Sequence, residues 1–190
     1  MTVPCPDEPA LIERARGGDR EAFSVLVSRH ASVILSAAWR IVGERAEAED
    51  VAQETFLAAF RALPGFRAES RFATWLYRIA VNKCRDRLRA RAARPEVEAT
   101  PGDSAPEAVG ETVEHRSPEE VLLQRQRASS LEQAIRRLPE LYREAFVLRH
   151  VEGLSYEDMS QALGVDGSTL RMRVYKARAQ LSRELAGVFG

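Results

Sequence analysis

From Arg71 to Arg94 the chain carries eight Lys/Arg residues against one acid, Asp86. Four aromatics, Phe66, Phe72, Trp75 and Tyr77, crowd the start of this stretch. Cations track phosphates and exposed rings stack on unpaired bases, so this composition suits single-stranded nucleic acid. Phe72, Trp75, Leu76, Ile79 and Ala80 recur at the spacing of one helix face. Arg78, Asn82, Arg85 and Arg89 form a second stripe of the same helix. A plain amphipathic helix with a solvated basic back accounts for Phe72, Trp75 and Ile79 as core. It leaves over the charge excess and Phe66, which lies outside the stripe.

A second basic cluster closes the chain. Ser155-Tyr156-Glu157-Asp158 has the Ser-x-x-acid pattern of a helix start. Met159 and Leu163 follow, then Gly164-Val165 as a tight turn. A helix runs from about Gly167 to Leu185, with Leu170, Val174, Ala177, Leu181 and Leu185 as its inner stripe. Its outer residues include Arg171, Arg173, Tyr175, Lys176 and Arg178. A short helix, a Gly turn and a basic second helix make a helix-turn-helix, which places a recognition helix in the DNA major groove. An amphipathic helical hairpin is the plainer reading and does not account for the basic second helix.

A third cluster, Asp50, Gln53 and Glu54, shares one face of a helix. Ordinary helix electrostatics would also favour acids in a first turn. No nucleophile–base pair, metal-ligand cluster or phosphate-cradling loop is present, which argues against an enzyme, a metal site or a cofactor. His30 lies on an apolar stripe, and no second His, Cys or acid shares a metal spacing with it, so it reads as a core or boundary residue.

The elements that must position these clusters are all helical. A first helix covers Ala10–Arg16 and stops at Gly17-Gly18. Asp19 caps a longer one, with Phe23, Leu26, Val27, His30, Ile34, Ala37, Ala38 and Ile41 inward, ended by Gly43. Another runs from near Ala46 to Leu63, with Ala52, Phe56, Ala59, Phe60 and Leu63 inward, and Pro64-Gly65 breaks it. Ser117 caps a helix with Pro118 at its first position and Val121, Leu122, Leu131, Ala134, Ile135 and Leu138 as apolar positions. Pro139 starts one more, with Leu141, Ala145, Phe146, Leu148 and Val151 inward, ended by Gly153.

Between the two basic clusters, Pro95–Arg116 holds three prolines, two glycines, six acids and no aromatic. Such a segment buries too little apolar surface to offset its ordering entropy and reads as a linker. The 190 residues carry 28 basic and 28 acidic groups. By segment the net charge is +4 over 1–94, −6 over 95–126 and +2 over 127–190, so two basic blocks flank an acidic joint. Two cysteines, Cys5 and Cys84, without a Cys-x-x-Cys pair fit a reducing compartment. No uninterrupted apolar run approaches the ~20 residues of a membrane span. The N-terminus has neither a basic nor an apolar signal region. A cytoplasmic protein is expected.

The run Phe66-Arg67, Ser70, Phe72-x-Thr74-Trp75-Leu76-Tyr77-Arg78-Ile79-Ala80-x-Asn82 resembles the promoter-melting segment of the extracytoplasmic-function (ECF) sigma factors, subunits that start bacterial transcription. Leu154-Ser155-Tyr156-Glu157-Asp158, Leu163-Gly164-Val165 and Thr169-Leu170-Arg171-x-Arg173 resemble that family's C-terminal domain, which reads the −35 promoter element. Asp50-Val51-x-Gln53-Glu54-x-Phe56 is similar to its segment that docks on the β′ clamp of core RNA polymerase. Departures fall at Ser160, where Ala is common, at Ser168, where Gly is common, and at Met172, where a short polar residue is usual.

The resemblance implies an all-α protein. Residues 1–18 would be a tail and short helix, 19–94 sigma region 2, 95–116 the acidic linker and 117–190 sigma region 4. It implies core contacts at Asp50, Gln53 and Glu54, and −10 DNA contacts at Phe66, Arg67, Trp75, Tyr77, Arg78, Asn82, Arg85 and Arg89. It implies −35 contacts at Ser168, Thr169, Arg171, Met172, Arg173, Tyr175 and Lys176. The implied partners are core RNA polymerase, through its β′ clamp and β flap, promoter DNA and an anti-sigma factor, without membrane insertion. A stand-alone helix-turn-helix regulator is the rival reading, and a purely protein-binding adaptor is the third.

Overall fold

The structure, a computed structural model, describes residues 7–93 and 118–189. Residues 1–6 of the expected tail, the linker and the Ser117 cap lie outside the described residues, and Glu8, expected in that tail, already begins the first helix. Among those described, every regular element is helical. Helices α1 (Glu8–Arg16), α2 (Arg20–Val42), α3 (Arg45–Ala62) and α4 (Phe72–Ala92) form an N-terminal bundle. Helices α5 (Pro118–Arg137), α6 (Glu140–Phe146), α7 (Tyr156–Leu163) and α8 (Gly167–Phe189) form a C-terminal group.

Caps set the boundaries. The Asp19 carboxylate accepts from the backbone N–H groups of Glu21 and Ala22 at 2.9 and 3.0 Å, which satisfies two orphan donors of α2. Gly43 ends α2 at φ 87°, a left-handed conformation that disfavours a side chain, and a Cβ there would also meet Arg136 Cδ at 3.3 Å. Gly164 closes α7 in the same conformation, at φ 67°. The helix-turn-helix therefore turns where the glycine stands.

Helix α2 is the spine of the N-terminal bundle. By length and composition it is apolar enough to cross a membrane, although its apolar residues are interrupted. Here it lies among α1, α3 and α4 and buries Leu26, Ile34, Ala37, Ala38, Trp39, Ile41 and Val42. Each large side chain so buried contributes about 1.5–3 kcal/mol. His30 is half-buried, with Nε2 3.0 Å from Glu8 Oε2 and its ring edge-on to Phe72, the boundary role expected of it.

The segment after Pro139 departs from expectation. Its helix gives way to a π-helical turn at Val147–Val151, and the extra residue per turn shifts the apolar phase. Leu141 and Val151, expected inward, are exposed, while Glu144 and Val147 are fully buried. Leu122 and Leu131 of α5, also expected inward, are exposed too, while Ala134 and Ile135 of that helix and Leu138 just past its end are buried.

The two groups pack on each other. Helix α4 lies against α7, and α2 against α5 and α6. Arg143 of α6 donates from Nη1 to the Ile41 carbonyl at 2.6 Å and from Nη2 to the Leu138 carbonyl at 2.9 Å. Arg40 of α2 pairs with Glu132 of α5 at 3.0 Å. Arg136 lies over the Trp39 ring, 5.3 Å from its centroid.

Candidate nucleic-acid interface

Helix α4 sorts the basic stretch into two faces. Phe72, Thr74, Leu76, Tyr77, Ala80, Val81 and Cys84 are buried. Arg78, Asn82 and Arg89 stand exposed on the opposite side, and Arg89 pairs with Asp86 at 2.6 Å. Arg85, expected on that outer stripe, turns inward. Its Nε and Nη2 donate to both oxygens of Glu144 at 2.7 and 2.6 Å.

The rings at the start of the stretch are not open to solvent as expected. Phe66 and Tyr77 are each only 4% exposed. Phe66 packs 5.0 Å from the half-buried Trp75 and 5.8 Å from Phe72, centroid to centroid. The three rings form one cluster, Trp75 tilted against both phenylalanines and Phe66 edge-on to Phe72, at the 4.5–7 Å separation aromatic pairs favour. Arg67 remains exposed on the connecting loop, where Ala68 takes a left-handed φ of 55°. Tyr77 points the other way, and its hydroxyl donates to Glu152 Oε2 at 2.6 Å. Burial, with the Glu152 carboxylate beside it, pushes the phenol far above its ordinary range.

Asp50, Gln53 and Glu54 are exposed on α3, as a docking surface requires. Lys83 and Arg87 of α4 neutralise part of this cluster. Lys83 lies 3.0 Å from Glu54, and Arg87 3.2 Å from Asp50 and 3.7 Å from Glu54. Pairs this exposed are worth at most ~1 kcal/mol and are readily exchanged for a partner.

In the helix-turn-helix, the Ser155 hydroxyl accepts from the Asp158 backbone N–H at 3.0 Å and donates to the Asp158 carboxylate at 2.6 Å. Asp166 caps α8 and takes the Ser168 and Thr169 backbone N–H groups at 3.0 and 2.9 Å, together with both their hydroxyls. Those bonds hold the Asp166 carboxyl far below the ordinary carboxylate range. Ser168, Arg171, Met172, Tyr175 and Lys176 are exposed on one side of α8, with Thr169 half-buried. Arg173 is half-buried, and its Nη1 has no hydrogen-bond partner. Arg171 lies over the Tyr156 ring at 5.6 Å and Lys176 over Tyr142 at 5.9 Å.

Sequence reasoning missed the residues that join the halves. Arg71 donates from Nε to Asp158 Oδ1 at 3.4 Å and pairs through Nη2 with the other oxygen, and Thr74 donates to Oδ1 at 2.9 Å. Burial pushes the Asp158 carboxyl up, but hydrogen bonds from Ser155, Arg71 and Thr74 outweigh it and hold it at about 2. Burial pushes Glu144 above the ordinary carboxylate range against the pull of Arg85, and Glu152 against the pull of Tyr77. Asp166 was findable: Asp before Gly-Ser-Thr and an apolar periodic run is a helix-start signal. Glu144 carried no local signal, since its partner lies 59 residues away.

The arrangement offers two exposed basic helix faces and one acidic face. Among the described residues no group of His, Cys and acids could hold a metal. The family model for sigma-70 region 2 matches residues 26–94, and that for sigma-70 region 4 matches 128–181. The chain is 40% identical to the RNA polymerase sigma-H factor of Pseudomonas aeruginosa over 92% of each chain. It is 37% identical to the ECF RNA polymerase sigma-E factor of Haemophilus influenzae, covering 94% of this chain and 95% of that one. It is also similar to the solved structure of CnrH in complex with the cytosolic domain of CnrY. The TM-score there is 0.68 and the identity 31%, over 95% of this chain and 99% of that one.

Proposed function

Because the chain belongs to the ECF group of the sigma-70 family of RNA polymerase sigma factors, we propose that α4 with the Phe66 loop opens and holds the −10 promoter element while α8 reads the −35 element. Sigma factors bind core RNA polymerase and promoter DNA and are not enzymes. The rival stand-alone regulator is not favoured, since it leaves the N-terminal bundle without a task.

The observation that carries the assignment is the pair of exposed basic faces on separate helices. Arg67, Arg78 and Arg89, with Arg85 once released from Glu144, hold the strand by its phosphates, which positions without reading. Asn82 and the Phe66 loop capture a flipped base beside the half-buried Trp75, Tyr77 joins them only once its contact with Glu152 opens, and stacking supplies roughly 1–3 kcal/mol per base. Arg171, Met172, Tyr175, Thr169 and Ser168 face base edges near the start of α8, and Arg173 and Lys176 serve phosphates or packing. Asp50, Gln53 and Glu54 dock on the β′ clamp, and the C-terminal group meets the β flap.

The domain division proposed is 1–18, 19–94, 95–116 and 117–190, with action in the cytoplasm where polymerase works. An anti-sigma factor is the proposed regulator. Its support is the likeness to CnrH, a chain that holds another protein's cytosolic domain. Run-off transcription with core polymerase on a genomic promoter library tests the whole. Discrete transcripts that depend on the added chain are expected. Their absence, despite a folded protein, would sink the reading.

A further inference from the structure

Two guanidinium groups of the C-terminal group rest on one ring. That of Arg171 lies 5.6 Å from the centroid of Tyr156, and that of Arg149 lies 4.9 Å from it. Tyr156 is the first residue of α7, directly after the Ser155 cap, and its half-buried ring packs against the core. Arg149 is fixed in turn, since its Nη1 donates to the Leu154 carbonyl at 2.7 Å. A Cβ on Gly167 would stand 3.7 Å from Arg171 Nη1 and 4.0 Å from Nη2, so the guanidinium lies back along the first turn of α8. That turn is the end of a recognition helix that reaches base edges. Among the described residues no carboxylate pairs with Arg171, which leaves the ring as its holder.

We infer that Tyr156 is a positioning residue for −35 recognition, its ring holding the Arg171 guanidinium at the start of α8 so that this group meets its base already oriented. The inference rests on the proposed reading of the −35 element by α8. The attraction is between a cation and the negative face of an aromatic ring, which an aliphatic side chain lacks. An unheld arginine samples many rotamers and gives up that freedom when it binds, whereas a pre-oriented one gives up less. The gain falls on the pair that Arg171 makes with the correct base and not on phosphate contacts. It therefore appears as sequence preference and not as affinity for DNA in general. Tyr156 needs no contact with DNA to act in this way.

The test measures closed-complex formation by the full chain with core RNA polymerase, on a duplex promoter taken from the run-off library and on copies with single −35 base-pair changes. Arg171→Ala marks the position that Arg171 reads. Tyr156→Leu should cut the preference at that position about two- to fivefold, the range of an exposed cation–π contact. Tyr156→Phe keeps the ring and should keep the preference. Tyr156→pentafluorophenylalanine keeps the shape of Phe but reverses the charge of the ring face, so it should lose preference as Tyr156→Leu does, and it decides the matter if the leucine variant does not fold. In an Arg171→Ala chain none of these changes should alter preference at that position further. Equal weakening on every −35 sequence would mean that Tyr156 supports the fold or touches phosphate, and would overturn the inference. So would a Tyr156→Phe chain that fails like Tyr156→Leu, or a fluorinated chain that behaves like the parent. A parent chain without −35 preference, or an Arg171→Ala chain with preference intact at every position, would sink the proposed reading by α8, and this inference with it.

Discussion

Arg85 of α4 and Glu144 of α6 form a two-bond ion pair at 2.7 and 2.6 Å, with the Glu144 side chain entirely out of solvent and that of Arg85 24% exposed. The pair joins the two helical groups, and solvent does not reach its carboxylate. Removing one partner of a buried pair leaves the other charge stranded, whereas replacing both with apolar groups is often neutral. Glu144→Leu is therefore expected to destabilise the chain by about 3 kcal/mol, and Arg85→Met with Glu144→Leu to recover most of that loss. Urea denaturation of the parent, both single variants and the double variant gives the coupling. Additive losses in the double variant would show that the pair contributes no more than its members.

Cys84 sits fully buried in α4, and burial pushes its thiol up to about 12. The thiolate is the reactive form, so almost none is present near neutral pH. In a Cys5→Ser chain, a thiol-specific chromogenic disulfide should react within seconds in denaturant and be at least ~100-fold slower in the folded protein, as buried thiols are. Cys84→Ala should transcribe like the parent chain with and without peroxide. A response to peroxide that vanishes in Cys84→Ala would make the residue a sensor.

Asp158 links acid stability to the contact between the halves. In the unfolded chain it titrates near 3.8, and in the folded chain at about 2. Between those values the unfolded state binds more protons, so acidification favours unfolding. The residue's contribution is complete above about pH 4 and is lost as the pH falls through about 2. Glu144 and Glu152, raised by burial, act in the opposite sense but are common to the parent and to Asp158→Asn. The stability gap between those two proteins should therefore shrink from pH 5 toward pH 2. A gap that stays constant by denaturant titration would remove Asp158 from the acid response.

Much of this was legible because the signals were local. Asp19, Gly43, Ser155 and Gly164 announce their caps in neighbouring residues, and the periodicity of Leu170, Val174, Ala177 and Leu181 fixes the buried side of α8. The exposed faces of α3 and α8 followed from those phases. Phe66 escaped because its partners, Phe72 and Trp75, lie across a loop whose left-handed Ala68 no propensity announces. The π-helical turn at Val147–Val151 escaped because one extra residue in a turn alters the phase without altering composition. The bonds of Arg71, Tyr77 and Arg85 depend on how two groups dock, which no period within one helix encodes.

The two DNA-reading faces should separate experimentally. Arg171 stands exposed near the start of α8, where a recognition helix reaches base edges in duplex DNA, and a well-placed Arg–guanine pair carries roughly 1–3 kcal/mol of discrimination. Asn82 stands exposed on α4, where the proposed ligand is an unpaired base that exists only after opening. Arg171→Ala should weaken closed-complex formation about 5- to 150-fold and relax preference at one or two −35 positions. Asn82→Ala should leave closed binding nearly unchanged, slow opening, and relax one −10 position. A template already mismatched across the −10 region should rescue Asn82→Ala and leave the binding defect of Arg171→Ala in place. Run-off transcription and permanganate reactivity on duplex and bubble templates read both steps. Equal loss of closed binding in the two variants, or rescue of both by the bubble, would mean that α4 and α8 do not divide the work in this way.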